Sequence, residues 1–210
     1  KMKGTGQIAS YGYKRTQDLK LYKTLGDQKF NEYLTGRDND VKITNLKLVN
    51  MQVDTLPFEQ SFDFQYELNN SDKYLFFTPN IFTPLHDNPF LSESRTSPID
   101  FGFGSSHIIT GRYKLPTGYA VESLPKNVNI VMADKSIRFK RSLENQDGYV
   151  SLHYEINITR TKFLKNEYPD LREFSKKMYE MLNDQIVLKK TYKHSNFKTH
   201  SQTLFSIYHN

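Results

Sequence analysis

The sequence predicts a mainly β fold, an antiparallel β-sandwich-like module with a few amphipathic helices packed on or beside the sheets. Three observations lead there. Alanine occurs three times in 210 residues, while Phe and Tyr together number 29. Aromatic side chains suit a pleated, half-buried surface, and alanine suits a helix. Two segments alternate with period two. In one, Phe62, Phe64, Tyr66 and Leu68 are separated by Asp63, Gln65 and Glu67; in the other, Val150, Leu152, Tyr154, Ile156 and Ile158 are separated by Ser151, His153, Glu155 and Asn157. Such alternation marks antiparallel strands wetted on one face. Finally, turn-forming clusters such as Asn69-Asn70, Pro116-Thr117-Gly118 and Asn145-Gln146-Asp147-Gly148 punctuate the chain.

In chain order, residues 8–13 read as a first strand. Residues 15–33 read as helical with a break at Gly26-Asp27, where Asp27 caps a second short helix that Gly36 ends. Strands follow at 41–49, 62–68, 73–78, 108–115, 128–132, 137–143, 150–158 and 185–189. Between the last two, Pro169 suits the first turn of a helix. Leu171, Phe174, Met178, Met181 and Leu182 then form one apolar stripe. The stretch 79–98 holds four prolines and reads as a loop or hinge, the one internal point where the chain could divide. Residues 1–190 are therefore expected as one β-rich domain, with 191–210 a tail that is mobile or adds an edge strand.

Composition excludes several function classes. There is no cysteine, which removes disulfides, thiolate metal sites and cysteine nucleophiles. No apolar run exceeds four residues, so no transmembrane helix is encoded, and residues 1–7 lack the apolar stretch of a signal peptide. The net charge of +6 is split, with +5 in residues 1–37, −4 in 38–159 and +5 in 160–210. Basic ends around an acidic middle do not form the single cationic stripe of a nucleic-acid binder, so none is expected as a partner.

No motif in the chain encodes a reaction. Gly4-Thr5-Gly6-Gln7-Ile8-Ala9 spells a dinucleotide fingerprint, but no strand precedes it and a strand, not a helix, follows. Phe101-Gly102-Phe103-Gly104-Ser105-Ser106-His107 lacks the closing glycine of the nucleophile elbow G-x-S-x-G. Neighbours on a strand face opposite ways, so the simplest reading is a glycine-kinked lead-in to a strand. The weakest functional reading is a hydrolase built on Ser105 or Ser106 with His107 or His153. The six histidines show no metal-binding spacing; neither metal nor cofactor is expected.

Several stretches together carry a family resemblance. They are Tyr74-Leu75-Phe76-Phe77-Thr78-Pro79; Asn88-Pro89-Phe90, through Arg95, to Pro98-Ile99-Asp100-Phe101-Gly102; Leu115-Pro116-Thr117-Gly118-Tyr119 with Val121-Glu122-Ser123-Leu124-Pro125-Lys126; Glu167-Tyr168-Pro169-Asp170-Leu171-Arg172-Glu173-Phe174; and Gln185-Ile186-Val187-Leu188-Lys189-Lys190. In this order they resemble the C-terminal β module of multidomain Bacteroidetes proteins built around a transglutaminase-like, papain-type core. The resemblance spans roughly residues 1–190, and 88–102 is its most specific part. That core acts through a cysteine, absent here, so the resemblance implies a non-catalytic accessory module that docks to or orients the core. It also implies a periplasmic or cell-surface location. The alternative is a carbohydrate- or peptide-binding module, with Tyr119 or Tyr149 as stacking platforms. Asp87, Asn88, Arg95, Asp100 and Tyr119 are the candidate interface residues. Within the 88–102 block, Arg95 and Asp100 are expected to pair and pin the hinge.

Overall fold

The computed structural model describes residues 1–36, 40–71, 73–82, 85 and 87–191. Thirteen strands and two helices occur among them: β1 (Met2–Ser10), α1 (Gly12–Leu34), β2 (Val41–Val49), β3 (Phe58–Tyr66), β4 (Asn69–Ser71), β5 (Tyr74–Phe77), β6 (Ile99–Asp100), β7 (Ser105–Lys114), β8 (Tyr119–Ser123), β9 (Val128–Val131), β10 (Ile137–Gln146), β11 (Tyr149–Ile158), β12 (Lys162–Phe163), α2 (Tyr168–Leu182) and β13 (Ile186–Lys190). The fold is mainly β, antiparallel throughout and sandwich-like, as the composition and alternation predict. A seven-stranded sheet runs β2-β3-β1-β7-β11-β10-β9, a four-stranded sheet runs β4-β5-β13-β8, and β6 pairs with β12. The large sheet takes strands from both sides of the 79–98 segment. The expected tail, from 192 onward, lies outside the described residues.

Alternation sorts the large sheet into two faces. The inner face carries Phe58, Phe62 and Phe64 of β3, Ile8 of β1, Ile109 and Tyr113 of β7, Leu152 and Tyr154 of β11, and Phe139 of β10. Everything else packs there. The small sheet contributes Leu75, Phe77, Ile186 and Leu188, with the Phe77 ring 5.5 Å from that of Tyr113. Phe82 sits edge-on to Phe62 and Phe64. Tyr113 donates its hydroxyl hydrogen to the Pro79 carbonyl at 2.8 Å, anchoring the start of the proline-rich segment.

The first strand starts at Met2, six residues earlier than the sequence suggests, because glycine weakens a strand pattern unless a neighbour fills its space. Here aromatic rings fill it. A Cβ on Gly4 would lie 2.4 Å from both the Arg112 carbonyl oxygen and the Phe64 ring, and one on Gly6 would lie 2.5 Å from the Phe62 ring. The Gly4–Ala9 fingerprint thus lies inside a strand, with its glycines covered by the rings of β3. Strand β8 carries no strand signal in the sequence, since it shows no clean apolar-polar alternation.

The helices break and begin at their glycine and proline signals, but the Asp27 carboxylate, expected as a cap, takes a tyrosine hydroxyl instead. Helix α1 breaks at Gly26, whose φ of 71° and ψ of 178° are open to glycine alone, and Asp27 accepts the Tyr22 hydroxyl hydrogen at 2.9 Å. Pro169 lies in the first turn of α2, and the stripe residues Leu171, Phe174, Met178 and Leu182 are buried. The C-terminal end of α2 meets Arg141, a guanidinium only 1% exposed at an inward position of β10. It donates to the Lys126 carbonyl at 2.9 Å, to the Met181 carbonyl and to Asp184 at 2.9 Å.

Two stability predictions follow from this packing. Gly6→Ala is expected to cost about 1–3 kcal/mol in urea unfolding, because the Phe62 ring must move. Arg141→Leu is expected to cost about 3 kcal/mol by the same measurement, since it removes the buried donor of the Lys126 and Met181 carbonyls and of Asp184.

Candidate functional site

The segment from Asp87 to Gly104 is exposed along most of its length, and its polar residues are used to shape it. Asn88 accepts the Phe90 N–H at 3.0 Å, and Asp100 accepts the Gly102 N–H at 2.8 Å. Both are Asx turns, in which a short side chain stands in for a backbone carbonyl. Gly102, at φ 78°, takes the left-handed step that lets the second turn close. Phe101 donates its N–H to the Thr161 carbonyl at 2.9 Å, while Ile99 pairs with Phe163 in the small β6–β12 ladder.

Two of the stretches that carry the resemblance meet here. Phe90 is buried, with its ring 6.4 Å from Tyr168 and 6.0 Å from Phe101. Tyr168 donates its hydroxyl hydrogen to the Ser92 carbonyl at 2.7 Å. The Arg95 guanidinium lies 5.9 Å from the Tyr168 ring centroid, a cation–π contact. Arg95 and Asp100 therefore do not pair, against the sequence expectation. Asp100 is exposed and turned back on its own loop, and Arg95 finds the face of an aromatic ring from α2 instead. Asp87 is exposed, and its charge helps raise the Tyr179 hydroxyl to about 12, an effect led by burial. Tyr119 stands apart on β8, half-buried against the core, so it does not join the other four.

What the loop exposes is aromatic. Phe101 is 36% and Phe103 53% exposed, and Phe103 stacks on Tyr13 of α1 with centroids 3.8 Å apart. Behind them, the Phe101 ring meets Phe163 edge-on at 5.8 Å, and the Arg160 guanidinium covers Phe163 at 4.3 Å. Arg160 is itself clamped between Asp134 at 3.0 Å and Glu167 at 2.7 Å. Leu91 and Leu164, each next in sequence to a ring of this cluster, are strongly exposed. Sequence reasoning named the polar residues of this block and missed Tyr13 and Phe103, which come together from segments 90 residues apart.

The two histidines of the hydrolase reading lie on opposite faces of the large sheet, Ser105 sharing the face of His107 and Ser106 that of His153. His107 lies on the inner face of β7, opposite Ser10 and Ile156, whereas His153 lies on the outer face opposite Thr110. His107 belongs to a withdrawn polar cluster under α1. There Ser10 donates to Asp18 at 2.6 Å, and the Lys14 ammonium donates to Asp18 at 2.6 Å and to the Tyr33 hydroxyl at 3.0 Å. Asp18 and Tyr33 more than offset the burial of Lys14, so its pKa is raised. The Nδ1 of His107 and the Nε2 of Gln60 have no partner; both residues line a cavity with about 20 Å³ of water-accessible space, room for one water. The serine hydroxyl bonds the carboxylate directly, without an imidazole between them, so the set does not make a charge-relay nucleophile. Among the described residues no group of acidic and histidine side chains is placed to hold a metal ion, and no helix is long and apolar enough to cross a membrane.

The family model for DUF3858, described as a domain of unknown function with a solved structure, matches residues 72–188, more than half of the chain. No curated protein and no solved structure matches it.

The buried imidazole makes a pH dependence. Burial, with the Lys14 charge nearby, pushes His107 down to about 4 from its ordinary 6.5, so the folded chain resists a proton that the unfolded chain accepts. The stability associated with the neutral ring is complete above pH 6.5 and drains away between pH 6.5 and 4, by up to about 3 kcal/mol. Urea unfolding at pH 7 and 4.5 should show this loss in the native chain and a smaller one in His107→Gln.

Proposed function

Because the chain belongs to DUF3858, a family of unknown function, we propose its role from its own surface: a non-catalytic accessory module that docks on a transglutaminase-like core of the same polypeptide. The observation that carries this reading is the aromatic end built from Tyr13, Phe101 and Phe103. Exposed rings held by other rings are pre-organised for contact, and aromatic anchors of this kind dominate binding energy at interfaces. The polar residues of the 88–102 block support it from behind. Asn88 and Asp100 fix the turns, Arg95 and Tyr168 fix the backbone between them, and Asp87 is an exposed charge beside them. The lack of a cysteine fits a module that leaves acyl-transfer chemistry to its partner. The same reading takes residues 1–190 as one unit and sets it in the periplasm or at the cell surface, where the resemblance puts the parent protein.

A second reading, a carbohydrate- or peptide-binding module, is favoured by a different feature, the open polar face of the large sheet with Tyr149 and its neighbouring cations.

Calorimetric titration of this chain with the separately produced transglutaminase-like core tests the first reading. We expect a dissociation constant of about 10 μM or tighter, weakened about tenfold or more by Phe103→Ser with the thermal midpoint unchanged. No heat with both pieces folded, or equal affinity for the variant, overturns it.

A further inference from the structure

The large sheet has the rest of the described molecule on its inner face and nothing on its outer one. Along that outer face two hollows, of about 600 and 430 Å³, share Thr5, Asp63 and Arg112 and form a single open trough. Its walls come from a defect in β2. The register slips between Thr44 and Lys47, and Asn45, at φ 54°, is pushed out to donate to Asp63 at 2.6 Å. The bulge turns an otherwise flat sheet edge into a rim.

The register fixes what lines the trough. Lys3 lies directly opposite Lys114, and Arg112 is two residues before Lys114 on the same face. Strand spacing puts these three cations within about 5–7 Å of one another at their backbones. All three are exposed, and among the described residues no carboxylate pairs with any of them. Like charges opposed across strands disfavour folding, so a cationic triangle without a carboxylate partner is an arrangement that a bound anion relieves. Beside it, the Tyr149 ring lies 4.1 Å from the Arg112 guanidinium, opposite Lys114 on β11. Away from this cluster the next row across the sheet has Ser61, Gln7 and Thr110 side by side, with Lys47 of β2 beyond Ser61 and His153 of β11 beyond Thr110. The row after that carries Glu59 and Glu155, the latter opposite Lys140.

We propose that this trough binds an acidic oligosaccharide, with a uronate carboxylate seated among Lys3, Arg112 and Lys114, a sugar ring against Tyr149 and hydroxyls along Thr5, Gln7 and Thr110. The graded lining selects this class. A carboxylate needs the charged end, and polyol hydroxyls need a strip of neutral donors and acceptors beside an aromatic ring. A nucleic acid would present a phosphate at every step, and after the cluster of three this trough offers one separate cation, Lys47, before Glu59 and Glu155. An extended peptide that pairs by its backbone needs a sheet edge, and the trough crosses the middle of the sheet.

The test is an amide NMR titration of the whole chain with trigalacturonate, compared with neutral galactotriose, inorganic sulfate and a short single-stranded DNA. Trigalacturonate is expected to shift the amides of Thr5, Thr110 and Arg112 and to bind more tightly than galactotriose or sulfate. The double substitution Lys3→Gln with Lys114→Gln should weaken it about tenfold or more while leaving the thermal midpoint unchanged or raised. No shifts up to about 10 mM ligand, shifts elsewhere, or affinity unchanged by the substitutions would overturn the proposal. DNA binding tighter at the same amides would replace it with a nucleic-acid site, and sulfate matching trigalacturonate would reduce it to a simple anion site. The Phe103→Ser variant should bind the saccharide normally, and the lysine variant should dock on the core normally, so failure of either reading leaves the other standing.

Discussion

The buried guanidinium of Arg141 is the constraint on which the two-layer arrangement rests. It occupies a position in β10 that alternation assigns to the core, between Phe139 and Leu143, and it is almost wholly removed from water. A charge in that place is tolerable only with its donors satisfied. Its partners are the Lys126 and Met181 carbonyls and Asp184, which lie in the segment before β9, the last turn of α2 and the link to β13. The end of α2 also presents the negative pole of the helix, so the cation complements both the free carbonyls and the dipole. A leucine there would pack equally well against Phe139 but would not dictate where α2 ends. The arginine ties the large sheet, the helix and the small sheet into one register.

Having both helices and the small sheet on one side leaves the molecule with two different kinds of free surface. The end of the layers, where residues 87–104 cross over, is aromatic and held rigid from within by Asx turns and ring contacts. The outer face of the large sheet is polar and patterned by charge. These surfaces arise from different rules. The first is made by long-range packing, with Tyr13 brought to Phe103; the second is made by strand register alone, which lines up Lys3 with Lys114 and Gln7 with Thr110. Exposed aromatic rings and clustered cations are thereby kept on separate parts of the structure.

The same division explains what could be read from the residues beforehand. Strand β11 and the stripe of α2 are legible because local period determines them, as is the break of α1 because Gly26 lacks a Cβ. The start of β1 was hidden because Gly4 and Gly6 have no pattern of their own, and their role depends on Phe62 and Phe64 almost 60 residues away. Arg141 was visible in principle as an arginine at the apolar phase of a strand. Its partners were not, since none is near it in sequence. Arg95 and Asp100 were matched because they are neighbours of opposite charge in a loop. The structure gives each a closer partner, the Tyr168 ring and the Gly102 N–H, and neither partner carries a charge that sequence reasoning would look for.

The polar cluster under α1 connects the interior to the aromatic end. Lys14 and Asp18 lie in the first two turns of α1, and through Asp18 they bind the helix to Ser10 on the last residue of β1. Arg15, next along, donates to the Leu56, Asn50 and Val53 carbonyls and so holds the other side of the same helical turn. Between these two anchors the N-terminal turn of α1 has little freedom, and Tyr13 sits in it. The ring that stacks on Phe103 is therefore placed by buried ionic and hydrogen-bonded groups rather than by its own exposed contact, which alone would be worth about 1 kcal/mol. A serine, an aspartate, a lysine and a neutral histidine brought together in a small protein invite a catalytic reading. Their geometry instead makes them the mount for the exposed Tyr13–Phe103 stack.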